Sequence, residues 1–213
     1  MAELVDAPDS KSGSGNRVRV RFSLPAPSKK YQKAMKYCSS CATPITRRVP
    51  DGDSVERWVC EFCDTVHYQN PKVVVGCIPN RDGKILLCKR AIEPRYGYWT
   101  VPAGFMEMGE TIAEGAARET LEEACATVLI GHLFASVDVP QAGQLHLFFT
   151  AKLESNFSPG TESLEVALFS QEEIPWGEIA FRSGEFALRK YFEDAGKNNG
   201  VHTHEVLFNR GKN

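Results

Sequence analysis

Residues 104–126 read GFMEMGETIAEGAARETLEEACA, and the rest of the chain is organised around them. The segment carries six carboxylates. Thr111 and Glu114 have the spacing of a capping box ahead of an Ala-rich run, so a helix is expected to begin there. Glu119, Glu122 and Glu123 stand at i, i+3 and i+4, which puts all three on one helical face. Like charges stacked in this way destabilise a helix, and a cation among them removes the repulsion. An all-oxygen donor set suits a hard ion, Mg2+ or Mn2+, better than zinc.

Upstream, Trp99 to Gly104 is an extended run ending in small residues, and Gly104 lets backbone approach an ion or a phosphate closely. Gly109 permits the turn into the helix. Arg118 lies beside the acidic face, where an ion pair with Glu110 would orient the carboxylates.

The order Gly104, five residues, Glu110, seven residues, Arg118-Glu119, two residues, Glu122-Glu123 resembles the signature of the Nudix hydrolases, G-x5-E-x7-R-E-U-x-E-E-x-G-U. Thr120 stands where that signature has an aliphatic residue, and Cys125 where it has glycine. The first is expected to loosen packing behind the helix, the second to change how the helix ends. The resemblance implies an α/β/α sandwich with a mixed sheet. It also implies a metal site of Gly104, Glu119, Glu122 and Glu123, supported by Glu110, with Glu122 and Arg118 in catalytic roles.

Cys38-Ser-Ser-Cys41, eighteen residues, then Cys60-Glu-Phe-Cys63 is the spacing of a structural zinc site with four thiolate ligands. With four protein ligands the zinc has no open position, so it should hold the fold and do no chemistry. His67 would be redundant as a ligand. Basic residues are few here beyond Arg47, Arg48 and Arg57, which favours a packing or dimer module over a nucleic-acid reader. The other cysteines, Cys77, Cys88 and Cys125, fall in apolar-patterned segments and read as buried thiols.

Four segments are expected: 1–34, a zinc ribbon over 35–70, the Nudix-like domain over 71–195, and a tail over 196–213, polar except for Val206-Leu-Phe208, which is either a final docked strand or nothing. Residues 1–34 are polar, aperiodic and rich in Ser, Pro and Gly, the composition of disorder. A basic arm or a transit peptide are two readings of them. The third, preferred here, is a spurious translation of an upstream transfer-RNA gene. Val20-Arg-Phe-Ser23 can be encoded by GTT CGA TTC TCC, which contains a T-arm loop, and Leu4 to Ala7 can be encoded by a D-arm. The protein proper would then start at or near Met35. The nucleotide sequence decides this, since codons without a transfer-RNA gene across them would sink it.

Within 71–195 the patterning predicts strands over 72–78, 84–90, 126–137, 145–153 and 164–169, a hairpin turn at Asn80–Gly83, and an amphipathic helix over 184–194. The loop from Arg90 to Tyr98 holds Arg90, Arg95, Tyr96 and Tyr98, groups suited to touching a ligand.

Residues 1–34 carry a net +4 and the remainder −6. An acidic body argues against nucleic acid as a general ligand. No apolar run reaches the length of a membrane span, and the free cysteines suggest a reducing compartment. No membrane association and a cytoplasmic location are therefore expected.

A zinc ribbon directly ahead of a Nudix domain is similar to two groups. The NADH diphosphatases carry a SQPWPFP-like stretch after the signature, and Ser136 to Leu145 (SVDVPQAGQL) does not fit it. Bacterial relatives of plant chloroplast FAD diphosphatase have a pattern resembling Val139 to Gln144, Phe157 to Gly160 with Glu162 to Glu165, and Glu173 to Phe181. That resemblance implies a dinucleotide-type substrate, FAD or ADP-ribose, cleaved at its diphosphate with Mg2+ or Mn2+. Glu165 and Glu162 are the candidates for general base, and Tyr98, Phe105 and Trp176 for stacking on a ring. A homodimer is the expected assembly. NADH cleavage, or a silent nucleotide sensor acting through the ribbon, are the alternatives.

Overall fold

The computed structural model describes residues 35–195, 197 and 199–207. The expectation for residues 1–34 lies outside the described residues. Three short strands form a first sheet: β1 (Thr46–Arg48), β2 (Arg57–Val59) and β3 (Val66–His67), all antiparallel. Its own small core is Cys38, Ile45 and Cys60, with Met35, Cys41 and Trp58 against them.

The second sheet begins with β4 (Lys72–Arg81) and β5 (Lys84–Arg90). Asp82 and Gly83 join them at φ 52° and 80°, the left-handed pair of a tight hairpin turn. The two strands pair only beside the turn, at Asn80↔Ile85 and Arg81↔Lys84. Beyond it they part, and β6 (Trp99–Thr100) and β7 (Ala103–Phe105) take up the opening. β6 pairs with β5, and β7 pairs with β4 so that Gly104 lies opposite Val75. Helix α1 (Ile112–Ala124) follows, then β8 (Val128–Val139), β9 (Gln144–Leu153), β10 (Ser163–Phe169), α2 (Arg182–Asp194) and β11 (His202–Glu205).

The strand order is β10-β5-β4-β9-β8-β11, with β6 and β7 attached to β5 and β4. The pairs β4–β9 and β8–β11 are parallel and the others antiparallel. This is the mixed sheet of the expected α/β/α sandwich. Strand β4 reads as a continuous apolar run because both its faces are covered. Val75 and Cys77 pack on the α1 side with Ala116, Phe149 and Ala151. Ile78 packs on the other side with Ile85, Leu87, Phe148, Ala187 and Leu188 of the α2 layer. Small residues on α1, Ala116 and Ala124, let that helix lie close to the sheet.

Two expectations need correction. Thr120 does not loosen the packing: it is fully buried, its hydroxyl donates to the Ala116 carbonyl at 3.0 Å, and it meets the Cys77 thiol at 3.1 Å. Cys125 is not buried. It is exposed at the end of α1, in the left-handed conformation at φ 46°. The tail also contributes a strand, directly ahead of the Val206 run at which the sequence leaves a final docked strand open. β11 runs along the β8 edge, and Val206 beyond it is buried. Among the described residues no helix is long and apolar enough to cross a membrane.

Candidate active site

Helix α1 starts as its sequence predicts. The Thr111 side chain accepts from Glu114 N–H at 3.2 Å, and the Glu114 carboxylate accepts from Thr111 N–H at 2.8 Å. The two bonds satisfy donors that a helix start leaves open. At the other end, Ser158 N–H donates to the Ala124 carbonyl at 2.9 Å and Gly160 N–H to the Glu123 carbonyl at 3.0 Å. A Cβ at 160 would stand 1.8 Å from the Glu122 carbonyl oxygen, so only glycine lets the 155–162 loop cap the helix so closely.

Glu119, Glu122 and Glu123 share the face predicted for them. Glu119 and Glu123 are buried, whereas the Glu122 side chain is 57% exposed. Gly104 faces Glu119 so closely that a Cβ there would stand 2.3 Å from both carboxylate oxygens. Strand β7 therefore presents bare backbone to Glu119, and a side chain here would push that carboxylate aside.

Arg118 ties the cluster together. Its Nε and Nη2 donate to the two oxygens of Glu110, each at 2.9 Å. Its Nη1 reaches Glu119 at 2.8 Å and Glu122 at 3.0 Å, and Nη2 also donates to the Phe105 carbonyl at 3.1 Å. Glu110 further accepts from Glu107 N–H at 2.7 Å. These bonds, Arg118 first, hold the Glu110 carboxyl down at about 2.

The buried carboxyls shift the other way. Burial, then the Glu119 charge, pushes Glu123 up to about 8, with Arg90 opposing. Burial also raises Glu119, against the pull of Arg118. Glu123 Oε2 is buried and has no hydrogen-bond partner. An unpaired oxygen of this kind is costly in a protein interior. An all-oxygen set of Glu123, Glu119 and the bare backbone at Gly104 is of the chemistry that suits a hard divalent cation.

Among the described residues the structure brings Gly104, Glu110, Arg118, Glu119, Glu122 and Glu123 together. It does not bring Glu165 to them. That side chain is 56% exposed on β10 and lies 3.9 Å from Lys89 Nζ. The nearer acid of this stretch is Glu162, whose charge raises both Glu119 and Glu123. Trp176 has the Arg189 guanidinium over its ring at 4.2 Å, and Phe105 has Lys72 Nζ at 4.8 Å. Two neighbours escaped the sequence reading. Cys88 feels the Glu123 charge, and burial followed by that charge raises its thiol well above the ordinary range. The Ser163 hydroxyl is buried beside the Cys88 thiol. Neither carries a sequence signal, since both sit in ordinary strand patterns.

In the first sheet the Sγ atoms of Cys38, Cys41, Cys60 and Cys63 all lie within 4.8 Å of one another. Cys38 and Cys63 approach to 3.6 Å, Cys41 and Cys60 to 3.4 Å. Two knuckles fold alike, with Cys38 N–H donating to the Thr43 carbonyl at 2.8 Å and Cys60 N–H to Thr65 at 3.0 Å. Four thiols converging in this way fit a tetrahedral zinc ion.

Comparison with known proteins places these features. The NUDIX domain family matches residues 70–194, and the Nudix N-terminal zinc-ribbon family matches residues 36–69. The NAD-capped RNA hydrolase NudC of Photorhabdus laumondii is 31% identical over 129 residues, 59% of this chain and 47% of that protein. The ADP-ribose pyrophosphatase of Methanocaldococcus jannaschii is 31% identical over 113 residues, 51% of this chain and 67% of that one. The chain thus spans about half the length of the first of these curated relatives. A crystal structure of a NUDIX hydrolase from Nitrosomonas europaea superposes with a TM-score of 0.77 at 50% identity, covering 81% of this chain and 99% of the other.

Proposed function

The chain belongs to the Nudix family, and from that premise we propose that it hydrolyses the diphosphate bridge of a nucleoside diphosphate joined to a second moiety, ADP-ribose or FAD. The observation that carries this reading is the acidic face of α1. Two buried carboxylates and one exposed one share that face, Glu119 lies against bare backbone at Gly104, and one buried Glu123 oxygen is left without a partner among the described residues. The name of the Methanocaldococcus relative supports ADP-ribose. The Val139-Pro-Gln-Ala-Gly-Gln144 stretch supports FAD through its resemblance to the FAD diphosphatase relatives.

Glu119, Glu122 and Glu123, with the Gly104 carbonyl, would hold Mg2+ or Mn2+. A divalent ion there supplies Lewis-acid polarisation of the diphosphate oxygens. Arg118 keeps the carboxylates in register by bridging Glu119 and Glu122 to Glu110. Water adds to one phosphorus, the bridging P–O bond breaks, and the proton of the water passes to a carboxylate. Of the two acids expected in this role, Glu162 is better placed than Glu165, which faces Lys89. The four cysteines would hold zinc as a structural ion.

The test is hydrolysis of ADP-ribose, FAD and NADH side by side with Mg2+ or Mn2+, with Glu122→Gln and Glu123→Gln as controls. NADH joins the panel because the Photorhabdus relative is named for an NAD cap. Cleavage of ADP-ribose or FAD that falls at least a hundredfold in the controls is the expected result. Dominant NADH cleavage would replace the substrate assignment. Turnover that survives both controls would remove the acidic face from the mechanism.

A further inference from the structure

The loop over residues 91–98 is bound to the acidic site at its root. It leaves β5 at Arg90 and returns at Trp99. Ala91 N–H donates to the Glu162 carbonyl at 2.8 Å. Gly160 N–H donates to the Glu123 carbonyl at 3.0 Å and Ser163 N–H to the Gly160 carbonyl at 3.2 Å, which sets the Glu162 segment against the end of the acidic helix. The loop is also braced internally. Arg90 N–H donates to Tyr98 O and Gly97 N–H to Arg90 O, each at 2.9 Å, while Tyr98 N–H reaches Arg95 O at 3.2 Å. Arg90 Nε donates to Pro94 O at 2.9 Å.

This ordered loop displays aromatic surface. Tyr96 is 55% exposed and Tyr98 is 36% exposed. Arg95 sits at φ 69°, a left-handed conformation that costs an arginine free energy. That conformation accompanies a guanidinium 5.3 Å above the Tyr98 ring. A single exposed aromatic is unremarkable. Here two aromatics and a cation are held rigidly at the edge of a carboxylate cluster. Arg90, at the foot of the loop, lies over Phe181 at 5.1 Å.

Resting on the diphosphatase reading, we propose that loop 91–98 is the specificity seat for a planar ring of the substrate, with Tyr98, backed by Arg95, as its stacking face and Tyr96 as its outer wall. A nucleotide ring stands one ribose away from its phosphate, so a diphosphate at the acidic face carries a ring to its rim. Stacking is tolerant of ring identity, which suits adenine and flavin alike. The cation beside the ring favours a ligand that carries phosphate.

The test is equilibrium binding to the full chain by calorimetry, in Mg2+, of AMP and FMN (ring and phosphate) against ribose 5-phosphate (phosphate without a ring). Tyr98→Leu should weaken the AMP or FMN complex by about tenfold or more. Ribose 5-phosphate should be unaffected, and Tyr98→Phe should behave as wild type. Tyr96→Leu, at the more exposed position, repeats the test if Tyr98→Leu loses its fold by circular dichroism, and a several-fold loss confined to the ring-bearing probes is then expected. Equal weakening of all three probes, no change in any, or a wild type that binds neither AMP nor FMN overturns the seat. The readout needs no turnover. A protein inactive on every diphosphate that still shows the ring-selective loss would remove the hydrolase reading and leave the seat standing.

Discussion

Three glutamates on one helical face repel one another unless something offsets the charge, and Arg118 does so from one side. Its planar fork suits bidentate bonding to Glu110 while the remaining donor reaches Glu119 and Glu122. Glu123 lies outside this fork. His146 shows the opposite solution for a half-buried titratable group, which is to stay neutral. Its Nδ1 lies 2.9 Å from Ser183 Oγ and its Nε2 lies 3.0 Å from Gln144 Oε1. Burial lowers it from 6.5 to about 4. A histidine near 6.5 when unfolded and near 4 when folded binds protons preferentially in the unfolded chain between those values. The folded state therefore loses stability as pH falls from about 6.5 to about 4, and the loss is complete below 4. Allowing for partial exposure, this amounts to about 2 kcal/mol. His146→Gln should flatten that stretch of the acid limb in denaturant melts taken at successive pH values. An unchanged slope would mean that His146 is not the group responsible.

At the scale of elements, the end of α1 offers a direct measurement. Cys125 occupies the position after the helix at φ 46° and ψ 36°, where a Cβ is disfavoured. Its thiol makes only a 3.9 Å contact with the Pro159 carbonyl. Cys125→Gly removes the steric cost of about 1–2 kcal/mol and adds unfolded-chain entropy of about 0.4–1 kcal/mol. The net expectation is a gain of about 0–1.6 kcal/mol, visible as a higher midpoint in urea with an unchanged slope. A lower midpoint would show that the thiol contributes more than its one contact suggests. The start of α1, its acidic face and the main strands were legible because caps, spacing and alternation are local signals. The left-handed Cys125 was legible only through the resemblance, whose signature has glycine there at the end of the helix; a cysteine by itself gives no hint of backbone conformation. Strand β11 was hidden for a related reason. His202-Thr-His-Glu205 has no apolar alternation, and the strand is held by backbone pairing to β8, by His202 on Asp194 at 2.8 Å and by His204 stacked on Phe186 at 4.4 Å. The β8 partners lie far away in sequence, and no local pattern points to them. The position of Glu162 relative to Glu165 likewise depends on a register shift between Ser163 and Glu165, which no spacing reveals.

At the scale of the molecule, the two sheets have separate cores of very different size. The larger sandwich buries Ile78, Ile85, Leu87, Phe148 and Leu188 in one layer alone. The first sheet has three buried residues in its core, two of them cysteines. So little apolar area does not offset the chain entropy of ordering some thirty residues, and a bound metal must supply the difference. Removing zinc should therefore unfold the first sheet alone. The measurement is amide hydrogen exchange on the intact chain before and after treatment with a thiolate-competing chelator. Protection should vanish at Trp58 and Val59, which pair with β1 and β3, while Val75 and Phe149 in the sandwich keep theirs. Cys60→Ser should reproduce the chelated pattern without chelator. Survival of protection at Val59 in metal-free protein would show that the small core suffices. Loss at Val75 along with it would show that the two cores melt as one cooperative unit, which their separate clusters argue against.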